Sequence, residues 1–294
     1  MIRHQFSSFN GQLIDLSDLT SPIIMAMENV EGMGEPESVE FNQETPLADG
    51  QQFTGYRYKA REVFWPILVK STPANFQADN ASLWSSLDRV ETGLWIVVAP
   101  DGTQRTLSVR LRGDGGSPLA SDPTHDGIAA YGITLVADDP YWKGATLSKT
   151  FQTAQDDLDF YAPPGSDYAL WLSSASTVDN AVITNEGNVD SWAVIRVDGP
   201  AESFWVDQFF GDTVHPVGGA VEVPDGYYLE INTDPRKLSA RLYAPGGSYT
   251  NVYRQMDSVS PFAVKAGDDV PVYIELIGEG SITISLEARF TRAI

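Results

Sequence analysis

The side chains with the widest chemical repertoire are sparse in this chain of 294 residues. His4, His125 and His215 stand far apart, and none has a second histidine at metal-ligand spacing. His125 lies in Asp122-Pro123-Thr124-His125-Asp126, where oxygen and imidazole could in principle hold a cation, but the run reads more simply as an Asp-Pro turn in an exposed loop. Thr213-Val214-His215-Pro216 reads as a strand end. The chain has no cysteine, which removes disulfides, thiolate metal sites and cysteine nucleophiles together. There is no Gly-x-Ser-x-Gly elbow and no phosphate-binding loop. Gly113-Asp114-Gly115-Gly116 carries an aspartate and no lysine, so it would repel phosphate. Asp156-Asp157-Leu158-Asp159 lacks the downstream glycine and glutamate of a calcium loop. Glycoside hydrolysis needs two carboxylates flanking the scissile bond, and the spacing singles out no pair among 40 acidic residues. The expectation is a chain without catalytic, cofactor or metal chemistry.

Aromatic side chains remain. Trp171, Trp192 and Trp205, with Phe204, Tyr227 and Tyr228 nearby, fall in the second half. Exposed on a β-sheet, a tryptophan can stack on the C–H face of a sugar ring; buried, it is core. Trp171, Trp192 and Trp205 are therefore the candidate sugar contacts. Trp65, Trp84, Trp95 and Trp142 read as core or interface.

The elements that would position these residues are short. Eighteen prolines and 25 glycines punctuate segments rich in Val, Ile, Tyr, Trp and Thr, the texture of sandwiches and barrels. From Ser281 to Phe290, Ile282, Ile284, Leu286, Ala288 and Phe290 alternate with Thr283, Ser285, Glu287 and Arg289. A period of two fits a half-buried antiparallel strand and excludes a helix of period 3.6. Val270–Ile277 joins it through Gly278-Glu279-Gly280, and Pro100-Asp101-Gly102-Thr103 turns Leu94–Ala99 back into Thr106–Leu111. A single amphipathic helix is predicted at about 80–92, capped by Asp79 or Asn80, with Leu83, Trp84, Leu87 and Val90 on one face and Gly93 past its end. Strands at Val63–Val69 and Leu94–Ala99 flank it. Long loops are predicted from Glu28 to Gly50, holding Gly34 and Pro36, and from Arg112 to Gly127. Asp138-Asp139-Pro140-Tyr141-Trp142 closes the first half, giving domains 1–146 and 147–294.

Bulk properties narrow the class. At 42% hydrophobic and 11% aromatic residues the chain is a folded one. Met1-Ile2-Arg3-His4-Gln5-Phe6-Ser7 does not read as a signal peptide, and no apolar run approaches the roughly 18 residues of a membrane span. Synthesis in a cytoplasm, without membrane insertion, is expected. The net charge of −21 is spread over both halves and disfavours nucleic-acid binding. It reads either as solubility or as the wall of a conduit that DNA crosses without sticking.

Several phrases, in order, resemble those of siphophage distal tail proteins of the actinobacteriophage type. In the first half they are Arg61-Glu62-Val63-Phe64-Trp65-Pro66, Leu83-Trp84-Ser85-Ser86-Leu87, Pro100-Asp101-Gly102-Thr103-Gln104-Arg105 and Ala137-Asp138-Asp139-Pro140-Tyr141-Trp142. In the second they are Asn185-Glu186-Gly187-Asn188, Val194-Ile195-Arg196-Val197-Asp198-Gly199-Pro200, Leu229-Glu230-Ile231-Asn232-Thr233-Asp234-Pro235-Arg236, and Ser260-Pro261-Phe262 ahead of Ala266-Gly267-Asp268. The resemblance implies an all-β chain of two β-sandwich-like domains, the first ring-forming and the second galectin-like. It implies a structural virion protein at the distal end of the tail: a hexameric ring joining tail tube to baseplate hub, or tail-associated protein, with a channel for DNA. Other minor tail or receptor-binding proteins are further implied partners. In such a ring the two long loops become candidate subunit-to-subunit arms, bounded or marked by Glu28, Gly34, Pro36, Gly50, Arg112 and Gly127; otherwise they are plain surface loops. The alternative function is a carbohydrate-binding module that recognises cell-wall glycan through the C-terminal domain.

Overall fold

A computed structural model describes residues 2–44, 49–113, 123–152, 176–210 and 213–294. The chain divides into two compact units, one of residues 1–145 and 290–294, the other of residues 146–289. The sequence reading placed 290–294 with the second domain; by their contacts they belong to the first unit, where Ala293 is buried and its N–H bonds the Met33 carbonyl.

The first unit contains β1 (Arg3–Ser7), β2 (Leu13–Asp15), β3 (Ile23–Met25), β4 (Ser38–Glu44), β5 (Gln51–Tyr58), β6 (Arg61–Lys70), α1 (Phe76–Ser85), β7 (Gly93–Val98), β8 (Gln104–Leu111), α2 (Pro123–Asp126), β9 (Ile128–Ala137) and the start of β10 (Trp142–Gln152). One antiparallel layer runs β2-β1-β7-β8, a second runs β3-β6-β9, and the end of β8 pairs with β9 at Arg110↔Val136. Strict alternation makes these strands: in β6, Val63, Trp65, Ile67 and Val69 are buried while their neighbours are not. Between the layers Phe6 meets Trp65 and Trp65 meets Trp95 edge to face, with centroids 5.2 and 5.4 Å apart, and Trp142 lies tilted against Trp95 at 4.9 Å. Gly93 is required here, because a Cβ at that position would stand 2.4 Å from the Phe6 ring.

The helix begins and ends earlier than its sequence pattern suggests. The Thr72 carbonyl accepts N–H bonds from Asn75 and Phe76, so the first turn forms just after Pro73. Asp79 and Asn80 are therefore not caps but tethers: Ser71 Oγ donates to Asp79, and Tyr131 Oη donates to Asn80. Asp88 Oδ1 accepts from the N–H groups of Val90 and Glu91, a turn that diverts the chain and leaves Val90 82% exposed.

The second unit holds the rest of β10, β11 (Ser176–Thr184), β12 (Ser191–Trp192), β13 (Val194–Asp198), β14 (Ala201–Phe210), β15 (Thr213–Gly219), β16 (Tyr228–Asn232), β17 (Ser239–Tyr243), β18 (Tyr249–Asn251), β19 (Ser258–Val259), β20 (Ala263–Val264), β21 (Asp269–Gly278) and β22 (Ser281–Phe290). Two antiparallel layers, β18-β17-β16-β13-β22 and β11-β21-β14-β15-β19, enclose a core that includes Ile195, Phe204, Leu229, Phe262, Ile274 and Ile284. The last strand has the predicted bounds and its four leading apolar residues point inward. Arg289 does not follow the pattern: it is 5% exposed rather than solvated, with its guanidinium 5.5 Å from the ring of Trp192.

Candidate assembly surface

Strands β4 and β5 form a sheet of their own, paired among the described residues only with each other, from Ser38↔Tyr58 to Glu44↔Gln51. The burial pattern shows no buried side chain in either strand. A free two-stranded ribbon is marginal in water at best, so this hairpin calls for a surface to lie on. Its first strand lies in the stretch predicted as a long loop between Glu28 and Gly50, and its second follows directly after that stretch. A one-residue register shift after Phe41 keeps Tyr58, Tyr56 and Phe53 on one face. The rings form a ladder: Phe53 to Tyr56 at 6.5 Å, Tyr56 to Tyr58 at 5.3 Å, and Tyr58 to Tyr141 at 5.9 Å. With Glu35, Pro36, Ser38 and Glu40, the three β5 rings line an open groove of about 320 Å3. On the opposite face Arg57 lies over Phe41 at 5.9 Å. Phe41, Phe53 and Tyr56 are 45, 58 and 57% exposed.

The base of this arm is held firmly. Arg61, at the start of β6, is 2% exposed and donates to the carbonyls of Pro140 at 2.7 Å, Gly32 at 2.8 Å and Thr291 at 2.7 Å, and to that of Gly34. Burial lowers its pKa to about 10, which leaves it charged at neutral pH. Tyr58 Oη donates to Glu35 at 2.8 Å, and Lys59 bridges Glu37 at 2.5 Å. Burial and the Glu35 carboxylate together push the Tyr58 phenol well above its usual range.

Of the residues marked from sequence on this segment, Glu28, Gly34 and Gly50 are exposed and Pro36 is buried in the arm's base. Its aromatic ladder was missed; its trace is the alternation of aromatic and polar residues in Phe53-Thr54-Gly55-Tyr56-Arg57-Tyr58. On the other predicted loop, Arg112 is exposed and paired with Glu62. Gly127 is buried, with φ +69 and its carbonyl accepting from the Ser71 N–H, so it anchors the loop rather than reaching outward. Residues 114–122 between them lie outside the described residues.

Of the tryptophans marked as sugar contacts, Trp192 and Trp205 lie on different sheets. Trp171 lies outside the described residues. Trp192 is half-buried on β12, with Arg236 at 5.8 Å and Arg289 at 5.5 Å. Trp205 is half-buried on β14, in a different sheet, directly over Gly218, where a Cβ would stand 2.9 Å from the indole. Nearby Asp207 has its pKa raised by burial and by Glu275. His4 is buried in the first unit and accepts a 3.3 Å bond from Trp95 Nε1, while His125 is exposed and His215 half-buried. Among the described residues no three histidine, aspartate or glutamate side chains cluster as metal ligands. No helix among them is long and apolar enough to cross a membrane.

These features define a class: a two-unit, all-β chain whose most distinctive surface is a projecting acidic and aromatic ribbon. No family model and no curated protein matches the sequence. Solved structures do. The fold is similar to that of the phage SPP1 Dit protein, described as a paradigm of the hub adsorption apparatus in phages infecting Gram-positive hosts, with TM-score 0.63, 15% identity and 99% of each chain covered. It is also similar to a chain of the phage P2 baseplate in its activated, calcium-bound conformation, with TM-score 0.54, 11% identity and coverage of 97% of this chain and 98% of that one. The strontium-bound form of that baseplate gives the same values. The resemblance to siphophage distal tail proteins is thus borne out in the fold, which extends over both units.

Proposed function

We propose that this chain is a structural component of a siphophage tail tip, part of a ring between tail tube and baseplate hub. The observation that carries the reading is the isolated acidic and aromatic arm on a fold shared, over nearly its full length, with SPP1 Dit and a P2 baseplate chain. Its role is mechanical and not catalytic. An arm with one complementary surface elsewhere on the molecule makes head-to-tail contacts, and these close into a ring when the rotation permits. Six copies is the ring size that the distal-tail resemblance implies, with DNA crossing the channel and the second, galectin-like unit outside. The protein then sits at the distal end of the virion, against the tube, the hub and other minor tail proteins.

Native mass measurement of the purified chain, with negative-stain images of the same sample, tests this. Rings of six copies support it. A monomer at every concentration, in a particle whose tail tip lacks the chain, sinks it.

A further inference from the structure

The arm needs a seat, and the first unit offers one. In the layer β2-β1-β7-β8, the register aligns Leu13, Ser7, Leu94 and Ser108 in one row facing away from the core. The next rows along β7 bring Ile96 and Val98 to the same face. Leu13 is 59% exposed and Leu94 40% exposed, so an apolar stripe lies bare on a sheet bordered by hydroxyl side chains.

Charge singles out this face. Residues 35–59 carry Glu35, Glu37, Glu40, Glu44 and Asp49 against Arg57 and Lys59. On this face strands β1, β2, β7 and β8 hold one carboxylate, Asp15, bridged to Arg3 at 2.7 Å, and two arginines, Arg3 and Arg110, the latter bridged to Asp138 at 2.7 Å; Arg105 pairs with buried Val97 and lies on the core side. In a chain of net charge −21 this is a sheet that an acidic ribbon can approach without repulsion. Dimensions agree as well: seven residues of β4 reach about 23 Å, and four strands span about 14 Å.

We propose that the arm of one copy lies across the outer face of β2-β1-β7-β8 of a second copy, with Phe53 and Tyr56 against Leu13, Leu94 and Ile96. This deepens the ring reading and rests on it. The contact is heterologous, arm to sheet, so each copy gives one and receives one. Phe53 and Tyr56 are the anchors, being large, exposed and rigid.

Because the chain has no cysteine, engineered thiols give an unambiguous readout. Phe53→Cys and Leu94→Cys are made as separate chains, both at exposed positions where folding is not at stake, mixed, and oxidised mildly. The expected result is a disulfide-linked dimer in the mixture and in neither chain alone, and a ladder of linked copies when both cysteines share one chain. Phe53→Ala with Tyr56→Ala should weaken self-association by about tenfold or more. Linkage of Phe53→Cys to itself would mean arm-to-arm pairing and overturns the proposal. So does a native ring that forms without any mixed disulfide, which leaves the ring reading standing on other surfaces. A chain that stays monomeric throughout removes both.

Discussion

Arg61 shows how much a single buried charge can organise. Its guanidinium has four carbonyl partners, from Gly32, Gly34, Pro140 and Thr291, segments far apart in sequence. Nothing in Arg61-Glu62-Val63 marks it, because its role depends on where the chain returns more than two hundred residues later. Charge-assisted bonds of this kind contribute about 1.5–3 kcal/mol each, and their loss strands buried acceptors. Arg61→Met should therefore destabilise the first unit by about 3 kcal/mol or more in denaturant melts, with protease cleavage rising first between residues 28 and 37. Arg61→Lys, reaching fewer carbonyls, should fall between the two. His4 is the other silent residue: in sequence it is only an isolated histidine, and neither its place in β1 nor its stacking on Trp95 is marked there. Burial lowers its pKa below 6.5. The unfolded chain therefore takes up the proton first as pH falls, so His4 favours the fold above pH 6.5 and opposes it increasingly below that value. His4→Gln, which keeps an acceptor for Trp95, should flatten the loss of stability between pH 7 and pH 5 relative to the parent chain; an unchanged slope would assign the acid sensitivity to other groups.

At the scale of elements, strands were legible wherever one face is buried. The period of two placed Ser281–Phe290, and strands expected at Val63–Val69 and Leu94–Ala99 fall within or beside Arg61–Lys70 and Gly93–Val98, where alternation is the direct imprint of a two-layer core. The helix was legible in kind and misplaced in extent: Asp79 and Asn80 look like caps in sequence, yet their partners, Ser71 and Tyr131, are tertiary. The arm was legible as a long candidate arm but not as a pair of strands, because no face of β4 or β5 is buried within its own chain and the ribbon carries no imprint of a core. The same fact makes a prediction. Replacing residues 38–58 with a two-residue turn removes no side chain that is buried among the described residues, so the first unit should keep its stability to within about 0.5 kcal/mol while losing self-association. Melting curves and native mass measured on one preparation check both halves of that statement. A large loss of stability would mean that the ribbon braces its own unit.

For the whole molecule, the two-unit division and the order of quoted phrases were readable from sequence, whereas the meaning of the acidity was not. A charge of −21 is compatible with plain solubility and with a conduit wall. Assembly separates the forces involved. A ring of six such copies carries about −126 before counterions, so its formation works against long-range repulsion. Local attraction offers little to offset this, since Arg3 is already bridged to Asp15, and Arg110 to Asp138 at 2.7 Å. Apolar contact by Phe53 and Tyr56 is insensitive to modest salt, but the repulsion is not: the screening length shrinks from about 30 Å at 0.01 M to about 10 Å at 0.1 M. Self-association should therefore strengthen as sodium chloride rises from 0.01 to about 0.3 M, the reverse of an interface built on ion pairs. Sedimentation velocity across that range reads the oligomer fraction directly. Dissociation on adding salt would show that charge pairing and not the aromatic ribbon holds the copies together, and would shift attention to the exposed arginines of the sheet face.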